Sequence, residues 1–344
     1  MTRPAVERVR NEPADRPIVA VTDTAVPDDT LERRLAEAEG AEYRAWNGTG
    51  DLGDLLDGAS VVFTNFVPLG PAELGRMPAG AALIRYGIGV DNVDLAAAAA
   101  AGVRLCNVPD YGANVVADQA AMTAVMLVRR VRDFDNALHR GETPTQAAFG
   151  AIPSLESRTV GLVGAGRIAR LTAERLRAFG CRIIAFDPFA DADTLRAEGI
   201  EPVEWSRLLS DSDIVSLHAP LTEGTRHLFD DAAFGALREG AYLINTARGG
   251  LVDHEAMIRA LDSGRLAGAA LDVTEPEPLP SDHPLRSYPQ VILTPHIAFY
   301  SNESMVRLQS LAVDEGRRAL RGEPLRCPVP LPQPTADTGT GAGA

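Results

Sequence analysis

Arg248, Glu277 and His296 are the residues whose chemistry the sequence sets up most clearly. They follow the short apolar runs 242–244, 269–271 and 291–293. In doubly wound parallel sheets ligands bind beyond the carboxyl ends of the strands, so residues in these positions converge. A guanidinium grips a carboxylate with two parallel hydrogen bonds and polarises a neighbouring carbonyl. An imidazole gives or takes a proton near neutral pH. A carboxylate bonded to that imidazole orients it and favours its protonated form. The set suits hydride reduction of a 2-oxo acid, with Arg248 binding and polarising, His296 as acid/base and Glu277 supporting His296. Each has a plainer alternative. Arg248 would cap a loop, Glu277 would be a solvated charge among Pro276, Pro278 and Pro280, and His296 would be a packed core histidine. Asp272 reads either as a contact to a nicotinamide carboxamide or as a loop residue. His218 reads either as a wall of a cofactor pocket or as structure. His139, His227, His254 and His283 read as surface or packing residues.

A second constellation precedes these. The apolar run 160–163 leads straight into Gly164-Ala165-Gly166-Arg167-Ile168-Ala169, a G-x-G-x-x-A turn that opens a helix lasting to about Gly180. The first glycine permits the turn, the second lets a pyrophosphate approach the backbone, and a small third residue packs helix on strand. The amides at the start of the helix then face the anion. The next strand ends at Asp187, whose carboxylate would accept ribose hydroxyls and repel a 2′-phosphate, so NAD is expected rather than NADP. The alternative for Asp187 is a helix cap or turn residue before Pro188.

These residues need a scaffold of alternating strands and helices. Apolar runs at 18–21, 61–63, 83–84 and 103–105 predict a first parallel-sheet unit of about 100 residues. Asp28 is placed to cap its first helix, which ends near Gly40. Residues 114–139 read as one long bridging helix. Runs at 159–163, 183–186, 214–217, 242–244, 269–271 and 291–293 predict six strands of a second, doubly wound sheet. Residues 301–321 read as one final helix. The polar ends, 1–16 and 328–344, read as disordered tails.

Composition narrows the function classes. The chain has 344 residues, enough for two domains, and a net charge of -14, which argues against nucleic acid or anionic membrane as partner. All 33 basic residues are arginine, so no lysine is available for Schiff-base or general-base chemistry. Cys106, Cys181 and Cys327 have neither zinc nor disulfide-framework spacing, which suits a reducing cytoplasm and predicts no metal. No signal peptide or membrane span is recognisable.

Taken together, the motifs resemble those of the D-isomer-specific 2-hydroxyacid dehydrogenases, the group of D-phosphoglycerate dehydrogenase and glyoxylate/hydroxypyruvate reductase. The similarity runs from about Ile18 to Cys327. It is carried by Arg85-Tyr86-Gly87-Ile88-Gly89-Val90-Asp91-Asn92-Val93-Asp94, Cys106-Asn107-Val108-Pro109, the glycine turn, His218-Ala219-Pro220-Leu221-Thr222, Asn245 to Asp253, Gly268 to Val273 and Thr294-Pro295-His296. The resemblance implies a flavodoxin-like substrate domain from residues 17–110 and 298–327, with a Rossmann NAD-binding domain of residues 111–297 inserted. It implies a cleft between them whose closure excludes water. It makes Arg248, Glu277 and His296 the catalytic trio. It assigns Gly164, Gly166, Arg167, Ile168, Asp187, His218, Ala219, Pro220, Thr225, Thr246, Ala247, Asp272 and His296 to the cofactor. The backbone amides of Ile88 and Gly89 would hold the substrate carboxylate. Asn65, Arg85 and Phe299 would complete the substrate side, Arg85 either meeting a second acidic group or pairing with Asp91 or Asp94. A homodimer through the NAD-binding domain is implied.

Motifs around His296 are similar to the C-terminal-binding protein branch, which implies, as a competing reading, an NAD(H)-sensing corepressor-like protein. Ile88 stands where phosphite-oxidising members carry lysine, and Glu277 where formate dehydrogenases carry glutamine, so neither activity is expected. Ala169 replaces the usual third glycine and Asp118 the usual glutamate. No regulatory domain for serine feedback is recognisable after the last helix.

Overall fold

The computed structural model describes residues 16–332, apart from Ala25, Pro27, Asn47, Gly50 and 146–151. It divides into two compact units, Met1–Tyr111 with Met305–Ala344, and Gly112–Ser304.

The first unit is built on a five-stranded, wholly parallel sheet of β1 (Ile18–Val21), β2 (Glu42–Ala45), β3 (Val61–Thr64), β4 (Ala82–Arg85) and β5 (Arg104–Cys106). The order β2-β1-β3-β4-β5 is the flavodoxin-like winding, whose switch point lies between β1 and β3. The central strands are apolar because helices cover both faces. One face packs Val62, Leu83 and Leu105 against Leu56, Leu69 and Leu74. β2, Glu-Tyr-Arg-Ala, is a strand that apolar runs do not reveal. It lies at the sheet edge, where polar side chains are tolerated.

The second unit carries β6 (Thr159–Val163), β7 (Arg182–Phe186), β8 (Glu201–Pro202), β9 (Ile214–Leu217), β10 (Ala241–Asn245), β11 (Leu266–Leu271) and β12 (Val291–Leu293). Their order, β12-β11-β10-β9-β6-β7-β8, is the doubly wound dinucleotide-binding arrangement with one strand added beyond β11. The expected six strands are present. The seventh, β8, is a two-residue edge strand containing a proline, which only an edge tolerates.

Four expectations are corrected. The bridging helix is two helices, Ala113–Val128 and Val131–His139, interrupted at Arg130, which takes a left-handed conformation (φ 53) and bonds Asp133 at 2.7 Å. The first helix, Thr30–Ala38, has Asp29 at its N-cap position, while Asp28 accepts the Thr30 amide at 2.9 Å. Residues 328–332 do not belong to a disordered tail. Val329 donates to the Leu105 carbonyl at 2.9 Å, and Val329 and Leu331 pack on the core of the first unit. Residues 1–15 and 333–344 lie outside the described residues. Residues 298–304 fall with the second unit rather than the first, because the Ala298 amide bonds Asp272 and Ser301 and Ser304 cap each other.

Candidate active site

The glycine turn has the geometry its sequence demands. Gly164 has φ +89, and a Cβ there would sit 2.9 Å from the His218 carbonyl carbon and 3.0 Å from the Ala219 nitrogen. Glycine therefore allows the β6 turn to lie against the segment after β9, bringing Gly164 together with His218 and Ala219. Gly166 is the opposite case: nothing lies within 4 Å of its would-be Cβ, which leaves open space in front of the helix Arg167–Ala178. Ala169 is fully buried, so the small third residue does pack inward. Arg167 is exposed and Ile168 half-buried on the first turn of that helix. Asp187, at the end of β7, accepts the Ala165 amide at 2.8 Å and the Phe189 amide at 2.9 Å. The turn reading of Asp187 is the one these bonds carry: its carboxylate is held against the glycine turn by backbone amides. His218 bonds Ser216 Oγ at 2.9 Å through Nε2, and burial pushes its pKa down to about 4. It is neutral at physiological pH. Thr225 bonds the Pro220 carbonyl and Thr222 amide, both at 2.7 Å, and so shapes the Pro220 loop.

Arg248, Glu277 and His296 come from the carboxyl ends of three neighbouring strands, β10, β11 and β12. Gly249 explains how the first two loops meet. A Cβ on it would be 2.1 Å from the Thr274 carbonyl carbon, so only glycine lets the Arg248 segment lie on the backbone that leads to Glu277. Asn245 closes the Arg248 turn, donating to the Arg248 carbonyl at 2.8 Å and accepting the Ala247 amide at 3.0 Å. His296 Nδ1 meets Glu277 Oε1 at 2.6 Å, with the two side chains 30% and 42% exposed. That pairing leaves Nε2 as the nitrogen available to a reacting group. His296 also adopts a left-handed backbone (φ 51), costly for a non-glycine residue and held in place by its surroundings. Asp272 is what holds it. Its carbonyl accepts the His296 amide at 2.7 Å, and its carboxylate accepts the Ile297 amide at 3.0 Å, the Ala298 amide at 2.9 Å and the Thr294 hydroxyl. The loop reading of Asp272 is therefore the one the geometry supports. Phe299 stands edge-on to His296, ring centroids 6.1 Å apart.

In the first unit, Asn65, Arg85, Ile88 and Gly89 cluster at the carboxyl ends of β3 and β4. Asp23, after β1, accepts the Asn65 amide at 2.8 Å and the Phe66 amide at 2.6 Å, and takes the Thr22 hydroxyl at 2.8 Å. Arg85 lies over Gly87 and 5.8 Å from the Phe66 ring centroid. Of its two expected acidic alternatives, Asp94 is engaged as the cap of the helix Leu95–Ala100, accepting the Ala97 amide at 2.8 Å. Tyr86, stacked on Phe63, sends its hydroxyl to the fully buried Glu32 at 2.5 Å, and Gln309 bonds the other carboxylate oxygen at 2.9 Å. Burial pushes the Glu32 carboxyl upward in pKa.

Comparison with known proteins decides the family. Residues 121–298 match the family described as D-isomer specific 2-hydroxyacid dehydrogenase, NAD binding domain. The chain is 40% identical over 250 residues to an (S)-sulfolactate dehydrogenase of Chromohalobacter salexigens, covering 72% of this chain and 80% of that one. The chain belongs to the D-isomer-specific 2-hydroxyacid dehydrogenases. It is likewise 38% identical over 242 residues to a glyoxylate reductase of Thermofilum pendens, covering 69% of this chain and 71% of the relative. A solved glyoxylate reductase from Paecilomyes thermophila superposes with a TM-score of 0.83 at 26% identity, over 92% of this chain and 99% of that one.

This hydroxyacid dehydrogenase is an NAD-dependent oxidoreductase, and its second unit fits the dinucleotide. The open space at Gly166 admits a phosphate, and Thr246 Oγ1, at the end of β10, is buried with no hydrogen-bond partner among the described residues, as expected of a group that meets a ligand. Among the described residues no group of His, Cys, Asp or Glu is arranged to hold a metal ion, and no helix is long and apolar enough to cross a membrane. Sequence reading missed two positioning groups in this dehydrogenase. Asp23 lies 42 residues from the loop it holds, beyond any local signal. Arg226 grips Glu275 with bonds of 2.6 and 2.9 Å and so steadies the loop carrying Glu277.

Proposed function

We propose that this dehydrogenase interconverts a small 2-oxo acid and its D-2-hydroxy acid, with Arg248, Glu277 and His296 as the catalytic groups. The observation that carries the reading is the 2.6 Å His296–Glu277 pair on a loop that Asp272 clamps from three sides. The Gly164–Gly166 turn, Asp187, Thr246 and the loop from His218 to Pro220 would hold NAD(H), which when bound would supply or accept the hydride at C2. Arg248 binds the substrate carboxylate and polarises the carbonyl. As C2 is reduced, the proton on His296 Nε2 passes to the carbonyl oxygen, and Glu277 keeps the Nδ1 proton and stabilises the imidazolium beforehand. In the oxidising direction the same nitrogen takes the hydroxyl proton. The amides of Ile88 and Gly89 add donors to the carboxylate, and Asn65, Arg85 and Phe299 bound the substrate's side chain. Asp187 makes NAD the preferred nucleotide.

The reading also includes a cytoplasmic homodimer paired through the second unit. Met122, Val131 and Leu138 are large apolar side chains left 46–62% exposed on the helices Ala113–Val128 and Val131–His139, which suits a covered face. Light scattering after gel filtration should give twice the 36.5 kDa chain mass.

The deciding experiment is loss of NADH absorbance with purified protein and a panel of 2-oxo acids. The panel includes glyoxylate and the 2-oxo acid of sulfolactate, after the relatives' names, with NADPH in parallel. Turnover with NADH supports the reading. Tight NADH binding without turnover of any acid would favour the NAD-sensing alternative.

A further inference from the structure

The segment Gly87-Ile88-Gly89 follows β4, and two hydrogen bonds hold its backbone from the side of residues 107 and 108. Val108 N donates to the Gly87 carbonyl at 2.9 Å, and Asn107 Nδ2 donates to the Ile88 carbonyl at 2.6 Å. The Asn107 amide orientation follows from chemistry, since a carbonyl oxygen can be met only by the donor end of the side chain. Gly87 takes φ +127, a conformation that L side chains rarely adopt.

Both peptides of this segment are trans. A trans peptide is planar, with its C=O and N–H pointing in opposite directions. The peptide carrying the Gly87 carbonyl carries the Ile88 N–H, and the one carrying the Ile88 carbonyl carries the Gly89 N–H. Tethering both carbonyls to residues 107 and 108 therefore turns both N–H groups to the side facing away from them. Ile88 and Gly89 are half-buried, and among the described residues neither amide donates to another protein group. Two successive amides aimed alike form an anion-binding nest. Asn107 is itself braced, because its amide donates to the Cys327 carbonyl at 3.3 Å and Val329 pairs with Leu105 beside it.

We infer that Asn107 is a positioning residue for substrate binding: by holding the Ile88 carbonyl it aims the Gly89 amide, and with Val108 the whole two-amide nest, at the substrate carboxylate. This rests on the dehydrogenase reading above, which supplies the carboxylate. A side chain with no donor leaves the Ile88–Gly89 peptide free to rotate. Ionised aspartate is worse, because it places a negative charge against the carbonyl and favours the flipped peptide.

The test measures KM and kcat for the best 2-oxo acid, inhibition by oxamate, and NADH affinity by fluorescence, in Asn107→Ala and Asn107→Asp. The expected result is KM and the oxamate inhibition constant raised about tenfold in Asn107→Ala and further in Asn107→Asp. NADH affinity should stay within about twofold and kcat should fall by less than KM rises. Unchanged KM and oxamate inhibition in either folded variant overturns the inference, as does a fall in kcat and NADH affinity with KM intact. In the unaltered protein with NADH, oxamate should slow hydrogen exchange of the Ile88 and Gly89 amides. Unaltered exchange there overturns the inference even if neither variant folds. Absence of turnover by the unaltered enzyme with every acid removes the dehydrogenase reading instead, and the inference falls with it.

Discussion

The two sheets solve one problem with the same device. In each, an aspartate just past a strand reaches across to the loop after the neighbouring strand and accepts two successive backbone amides. Asp23, after β1, holds Asn65 and Phe66 beyond β3, and Asp272, after β11, holds Ile297 and Ala298 beyond β12. Each carboxylate also takes a threonine hydroxyl, from Thr22 or from Thr294. The difference lies in what the held loop carries. The Asp272 loop carries an ionisable group, His296, in a strained backbone conformation, and Asp272 is only 4% exposed. The Asp23 loop carries Asn65 and the exposed Phe66, and Asp23 is half-buried. In the proposed mechanism the Asp272 clamp positions the proton-transferring imidazole and the Asp23 clamp shapes a wall of the substrate site.

Mutations should separate these roles. The largest effect belongs to the group neither clamp holds. Arg248→Ala should lower kcat/KM by about 10³-fold, through loss of charge stabilisation, while NADH still binds. Retained turnover would remove Arg248 from the site. Next is Asp272→Ala, which releases His296 and should cost about 10²-fold in kcat, the penalty for a catalytic group displaced by about 1 Å. Stopped-flow measurement of the hydride step would check it, and an intact kcat would mean that Glu277 alone positions the imidazole. Asp23→Ala should act mainly on KM, raising it about tenfold with kcat nearly intact. If it lowers kcat as far as Asp272→Ala does, the contrast between the two loops is wrong.

The smallest effect at neutral pH concerns a group outside both loops. His254 is buried edge-on to His283, 5.6 Å between ring centroids, and burial, aided by His283, pushes its pKa down from 6.5 to about 4. Between these values the unfolded chain binds the extra proton. Its contribution to stability is complete above pH 6.5 and is lost as pH falls toward 4, up to about 3 kcal/mol. His254→Leu should leave stability at pH 7 little changed and flatten its decline between pH 6.5 and 4. An unchanged acid slope in denaturant titrations would show that another group carries the decline.

Legibility in the sequence followed how local each signal was. The central strands were readable because a strand covered on both faces must be apolar along its length. β2 and β8 escaped because edge strands are free to be polar, or to contain proline. The helix 114–139 looked continuous because no glycine or proline interrupts it, and nothing in Arg129-Arg130 announces the left-handed residue that breaks it. Pro328 to Leu331 looked like tail because prolines hide the alternation of Val329 and Leu331 against the core.

By itself the sequence determined the glycine turn, the strand-end positions of Arg248, Glu277 and His296, and the family. These depend on residue type at short spacing: a glycine where a Cβ would strike His218 or Thr274, an arginine or histidine where a strand stops. Only the tertiary structure decided which groups hold them. Asp23 and its loop are 42 residues apart, Asn107 and Ile88 are 19, and Asp272 and Ala298 are 26. Hydrogen bonds of such range depend on which strands become neighbours, and that order is a property of the packed sheet, not of any stretch of chain.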